Sequence, residues 1–95
     1  MASPTRIRFR LGQIVATPGA VDLMHAYPAD VTDALARHSR GDWGDVGPED
    51  ARENERSLAQ GWRLLSAYTT RAGVKAWIIT EADRSATTLL LPEEY

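Results

Sequence analysis

Apolar and polar residues alternate along residues 5–15, with Ile7, Phe9 and Leu11 set against Arg6, Arg8 and Arg10, which is the period of a half-buried strand. Three arginines then share one face, and Gly12 inside the pattern marks a bulge or a close backbone approach. Beyond it the apolar spacing lengthens to that of helices. Thr17-Pro18 opens the first, the hydroxyl placed to cap free amides and the proline in the first turn. This helix carries Val21, Leu23 and Met24 inward and is expected to stop near Tyr27, because Pro28 disfavours helical geometry in the residue before it. A second helix over residues 29–39 has Asp30 early in it, puts Val31, Leu35 and His38 on one stripe, and ends at Gly41. A third, over residues 48–60, is mostly polar, with Ala51, Leu58 and Ala59 as its thin apolar stripe and Gly61 as its stop. Glu49 and Asp50 in its first turn complement the helix dipole and need no functional explanation.

After Gly61 the period changes to that of strands. The runs WRLLSAYTT, VKAWIITE and ATTLLLPEEY are rich in β-branched, aromatic and leucine residues and are punctuated by turn chemistry. Arg71-Ala72-Gly73 supplies the glycine a hairpin favours. Residues 81–85 make the next turn, with Asp83 able to bond the backbone just ahead of it. Pro92 ends the last strand, leaving a short tail that can fold back. The predicted fold is α+β, a single domain over residues 1–95, in the order β-α-α-α-β-β-β with a C-terminal three-stranded antiparallel meander. Both faces of that sheet carry apolar residues. Helices cover one; the other, with Leu65 and Trp77, needs a terminal segment or a second protein over it.

Ninety-five residues, 43% hydrophobic and 25% charged, suit one globular core. The absence of cysteine removes disulfides, thiolate metal sites and cysteine nucleophiles together. The opening MASPTRIRFR lacks the apolar core of a signal peptide, and no apolar run is long enough to cross a bilayer. A soluble, unexported, cytoplasmic protein is expected. A net charge of −2 gives no general pull toward phosphate, so nucleic-acid binding would need a local patch and is not favoured.

Candidate chemistry is sparse. The stretch GDWGDVGPED places Asp42 and Asp45 around Trp43; the ligand alternation and closing glutamate of a calcium loop are missing, so neither a metal nor a cofactor is expected. Trp43 either plugs the gap between helices and sheet or stands out as an interface anchor. His38, at a helix end on the apolar face, is read as a packed, hydrogen-bonded residue, with a general acid or base as the other reading. The arginine stripe of Arg6, Arg8 and Arg10 either keeps a strand edge solvated or grips an acidic partner.

Three stretches, LGQIVATPGA (residues 11–20), RHSRGDWGD (37–45) and WIITEADRSATTLLLPEEY (77–95), resemble a group of small bacterial proteins carried on plasmids and phages. The resemblance implies a mobile-element origin and no mechanism. The element order is similar to that of RelE/ParE toxins and, more loosely, barnase-type ribonucleases. That analogy implies catalysis by His38, Asp83, Arg84, Thr87 and Thr88, with Arg84 stabilising a phosphorane and His38 or Asp83 moving the proton. The preferred expectation is a protein-binding effector or regulator, such as a host-defence inhibitor or a toxin–antitoxin partner. It would use Arg6, Arg8, Arg10, Asp42, Trp43, Asp45 and Trp77, with a homodimer through the uncovered sheet face as one form of the same contact. The alternative expectation is the ribonuclease.

Overall fold

The computed structural model describes residues 6–95. Its elements run β1 (Gln13–Ala16), α1 (Pro18–Ala26), α2 (Pro28–Ser39), α3 (Pro48–Gln60), β2 (Leu64–Thr69), β3 (Lys75–Thr80) and β4 (Ala86–Leu90), then a 3₁₀ turn, Pro92–Glu94. The expected α+β order and meander are therefore present. β2 pairs antiparallel with β3 and β3 with β4, while β1 returns to lie parallel to β4, giving the sheet order β1-β4-β3-β2.

The local signals act where the sequence placed them. Thr17 accepts a hydrogen bond from the Ala20 amide at the start of α1. Gly61 ends α3 with a left-handed backbone, φ +77°. The Asp83 carboxylate accepts the Ser85 amide at 2.9 Å in the β3–β4 turn. Gly12, also left-handed, runs so close to β4 that a Cβ there would sit 2.3 Å from the Ser85 carbonyl oxygen.

The N-terminal strand is the main correction. The strand is Gln13–Ala16, so of residues 5–15 only 13–15 belong to it, Thr5 lying outside the described residues. Two contacts override the alternation: Phe9 turns inward to pack on His38 and Trp43, and the Arg8 amide donates to the Ser39 carbonyl at 2.8 Å. Ile7 is consequently left 68% exposed. Arg6, Arg8 and Arg10 therefore line no strand face, and the Arg8 guanidinium reaches Glu55 at 2.9 and 3.0 Å.

The helices lie over one sheet face. Ala20 and Leu23 of α1, with Val31 and Ala34 of α2, pack on Tyr68, Ala76, Ile78 and Leu89. A second cluster joins Phe9 and Trp43 to Leu64, flanked by Leu11, Val46, Ala51 and Leu58. On the opposite face the C-terminal tail folds back: the Tyr95 ring meets Trp77 edge-on, centroids 5.5 Å apart, and Arg63 donates to the Tyr95 hydroxyl at 3.1 Å.

Candidate functional site

Four polar side chains lie where the helices meet the sheet. His38 of α2, Ser66 of β2, Thr80 of β3 and Thr87 of β4 are all fully buried, and burying them requires that each be hydrogen-bonded. His38 Nδ1 meets the Ser66 hydroxyl. Its Nε2 lies 2.8 Å from Thr80 Oγ1, which lies 2.8 Å from Thr87 Oγ1, which donates to the Leu11 carbonyl at 2.6 Å. A carbonyl only accepts, so the direction of the whole chain follows from its last link. Thr87 gives its proton to Leu11, Thr80 gives its own to Thr87, and His38 must donate from Nε2. Nδ1 is then the acceptor from Ser66. The imidazole is neutral. Desolvation, with Arg84 nearby as a secondary cause, pushes its pKa down to about 4. Phe9 and Trp43 close the imidazole in, with ring centroids 5.1 and 5.9 Å from its own.

The β3–β4 turn holds Arg84 in a left-handed conformation, φ 62°. Its guanidinium donates to the carbonyls of Trp62, Glu81 and Ala82 at 2.7–3.1 Å and reaches that of Ser57 at 3.4 Å. It lies over the Phe9 ring, 5.7 Å from the centroid. Those donors tie the C-terminal end of α3 to the sheet. Asp83 is exposed and bonded within its own turn, and Thr88 points to the face opposite Thr87. The five side chains offered for catalysis thus split between a closed interior, a saturated turn, bulk solvent and the opposite face of the sheet.

The GDWGD loop closes one edge of the sheet. Odd-numbered residues of β2 direct their amides and carbonyls away from β3, as the Leu64–Thr80 register dictates. Asn54 of α3 takes both groups of Leu65, donating to its carbonyl at 2.7 Å and accepting its amide at 3.1 Å. Ala67 donates to Trp43 and accepts from Asp45, and the Thr69 hydroxyl donates to the Asp45 carboxylate at 2.7 Å. Trp43, 6% exposed, fills the space beneath, its indole donating to Glu55 at 3.0 Å. It is the plug, and the exposed-anchor reading is corrected. Asp42 is drawn off to Arg37 at 2.8 Å, which holds its carboxyl below the usual carboxylate range.

Of the residues offered for partner binding, Arg6 and Arg10 are exposed, Arg8, Asp42 and Asp45 make internal polar contacts, and Trp77 is half-buried beside Tyr95. Among the described residues no three histidines or carboxylates gather to hold a metal ion, and no helix is long and apolar enough to cross a membrane.

The other sheet edge is open among the described residues. Gln13 donates to Ser85 and Thr17 to Leu89, so the odd-numbered residues of β1 face β4, and Ile14 and Ala16 present their amides and carbonyls outward. Ile14 is 42% and Val15 44% exposed. The run Gln-Ile-Val-Ala contains no charge and no proline, the usual guards of an edge. The sequence reading made this strand an edge guarded by Arg6, Arg8 and Arg10; the strand begins after those arginines, and the uncharged run Gln13–Ala16 was the available signal that its edge is unguarded.

No protein-family model matches this chain, and no curated protein and no solved structure matches it either.

Proposed function

We propose that this chain is a protein-binding module that takes an extended segment of its partner against the outer edge of β1. The supporting observation is the contrast between the sheet's two edges: β2 is closed by Asn54 and the Trp43–Asp45 loop, whereas β1 offers main-chain groups that no described residue pairs, flanked by exposed Ile14 and Val15. An edge of this kind binds by strand addition, main-chain hydrogen bonds giving affinity and alternate side chains giving selectivity. The resemblance to plasmid- and phage-borne proteins fits a small regulator of this type, an inhibitor of a host protein or one half of a toxin–antitoxin pair. The ribonuclease reading has less support, because Arg84 spends its donors on main-chain carbonyls and His38 and Thr87 are sealed inside.

The test is Ile14→Pro. The Ile14 amide plays no part in the β1–β4 ladder, so proline there is tolerated by the fold and removes an outward donor. Proteins captured by the tagged chain are compared between wild type and variant, with circular dichroism confirming the fold. Loss of a specific partner, a second copy of the chain included, supports strand addition at β1; an identical set of partners in both, with self-association also unchanged, rejects it.

A further inference from the structure

Building on the strand-addition reading, we infer that the segment received by β1 is β1 of a second copy of this chain, paired antiparallel about a two-fold axis through Val15. The outward groups set the register. Ile14 and Ala16 are the residues whose amides and carbonyls leave the sheet, and an antiparallel pair of β1 strands satisfies them when Ile14 of one copy faces Ala16 of the other. Each such pair exchanges two hydrogen bonds, and Val15 then lies opposite Val15 in a non-hydrogen-bonded site, where side chains approach most closely.

Three further features agree with that register. Ile14 and Ala16 share the helix-covered face, so the pairing sets a large exposed side chain beside a small one in both directions. On the other face Val15 is already the end of a row running through Thr88, Ile79 and Leu65 by strand register; pairing Val15 with Val15 continues the row into the second sheet. Charge also matches. Glu94 bonds the Thr17 hydroxyl and the Gly19 amide at the C-terminal end of β1, while Arg10 lies exposed before its other end. Antiparallel pairing brings the arginine end of one copy to the glutamate end of the next. A shift that paired Ile14 with Ile14 would crowd two large side chains and set Ala16 against Gly12, which lies outside β1 with a left-handed backbone, φ +66°.

The chain has no cysteine, so single cysteines report this register without background. A non-hydrogen-bonded antiparallel pair has the short Cα separation that a disulfide accepts. Under mild oxidation Val15→Cys is expected to cross-link rapidly into a covalent dimer, and Ile14→Cys and Gln13→Cys at least tenfold more slowly. Sedimentation of the cysteine-free wild type is expected to show concentration-dependent doubling of the 10.5 kDa mass, and Ile14→Pro to stay monomeric. Faster cross-linking through Ile14 or Gln13 overturns the register. A wild-type monomer at all concentrations overturns the second copy as occupant, and amide hydrogen exchange then separates the two levels. Fast exchange at Ile14 and Ala16 in that monomer keeps the edge open for a different protein; slow exchange there means the edge is covered within the monomer, and the strand-addition reading falls with it.

Discussion

His38 was read as a packed, hydrogen-bonded residue with a catalytic alternative, and its surroundings show why a polar residue sits on an apolar stripe. It links three strands to α2 through hydroxyl groups that no hydrophobic side chain could satisfy. The arrangement uses the neutral ring: a charged imidazole would have to sit fully buried, and protonated Nδ1 would turn Ser66 from donor to acceptor. The sign of the pH effect follows. The folded-state pKa, about 4, lies below the ordinary 6.5, so the unfolded chain binds the extra proton first. The stabilisation is complete above pH 6.5 and is lost as pH falls toward 4, by roughly 3 kcal/mol over that window. Asp42 and Glu55, both held below their usual range mainly by hydrogen bonds from arginines, add to acid loss from about pH 5 downward, so the decline between pH 6.5 and 5 belongs to His38. Denaturant titrations at several pH values are expected to show a decline between pH 6.5 and 5 in wild type and its disappearance in His38→Gln. A variant with the wild-type slope would assign the decline to another group.

At the scale of elements, the turn between β3 and β4 separates backbone cost from side-chain gain. Arg84 holds a left-handed backbone that glycine adopts freely and that other L residues adopt at about 1 kcal/mol or more, while its guanidinium joins Trp62, Glu81 and Ala82. Arg84→Gly and Arg84→Ala both lose the guanidinium contacts, and only the glycine relieves the backbone. Thermal unfolding is expected to place both below wild type, with alanine the lower by about 1 kcal/mol; alanine matching wild type would remove the structural role. At the closed edge, Asn54→Ala takes the partner from the half-buried amide and carbonyl of Leu65 and is expected to cost about 1–3 kcal/mol in denaturant unfolding. These elements also show what the sequence could reveal. Helix limits, the Asp83 turn and the meander were legible because capping residues, prolines and period-two alternation are local signals. The fate of residues 6–12 was not, since Arg-Ile-Arg-Phe-Arg-Leu carries a strand period that Phe9 overrides through contacts with His38 and Trp43, both distant in sequence. The parallel return of β1 beside β4 is likewise invisible to periodicity. Asn54 and Ser57 are the buried residues of α3, where its sparse leucine and alanine suggested an outer helix with a thin stripe. The inward asparagine proved to be an edge cap.

On the scale of the whole molecule, the C-terminal tail joins regions that the rest of the chain leaves separate. Glu94 accepts from Thr17, Gly19 and Leu91, fastening the start of α1 to the end of β4, and Tyr95 lies against Trp77 on the sheet face without helices. The first contact holds a helix terminus, where a carboxylate is favoured by free amides and by the dipole. The second shields part of an apolar face that the sequence predicted would need cover. These functions reside in adjacent residues and can be parted. Glu94→Ala is expected to lower the melting temperature and speed exchange of the Gly19 amide, with dye binding to apolar surface unchanged while the protein is folded. Tyr95→Ala is expected to do the reverse, raising binding of an environment-sensitive apolar dye at Trp77 and leaving exchange at Gly19 as it was. Deleting Pro92–Tyr95 should combine both effects. If Tyr95→Ala leaves dye binding at the wild-type level, the tail is an anchor for α1 and the exposed sheet face does not depend on it; if it rises, that face becomes a second apolar surface beside the open β1 edge, and the tail governs how much of it is exposed.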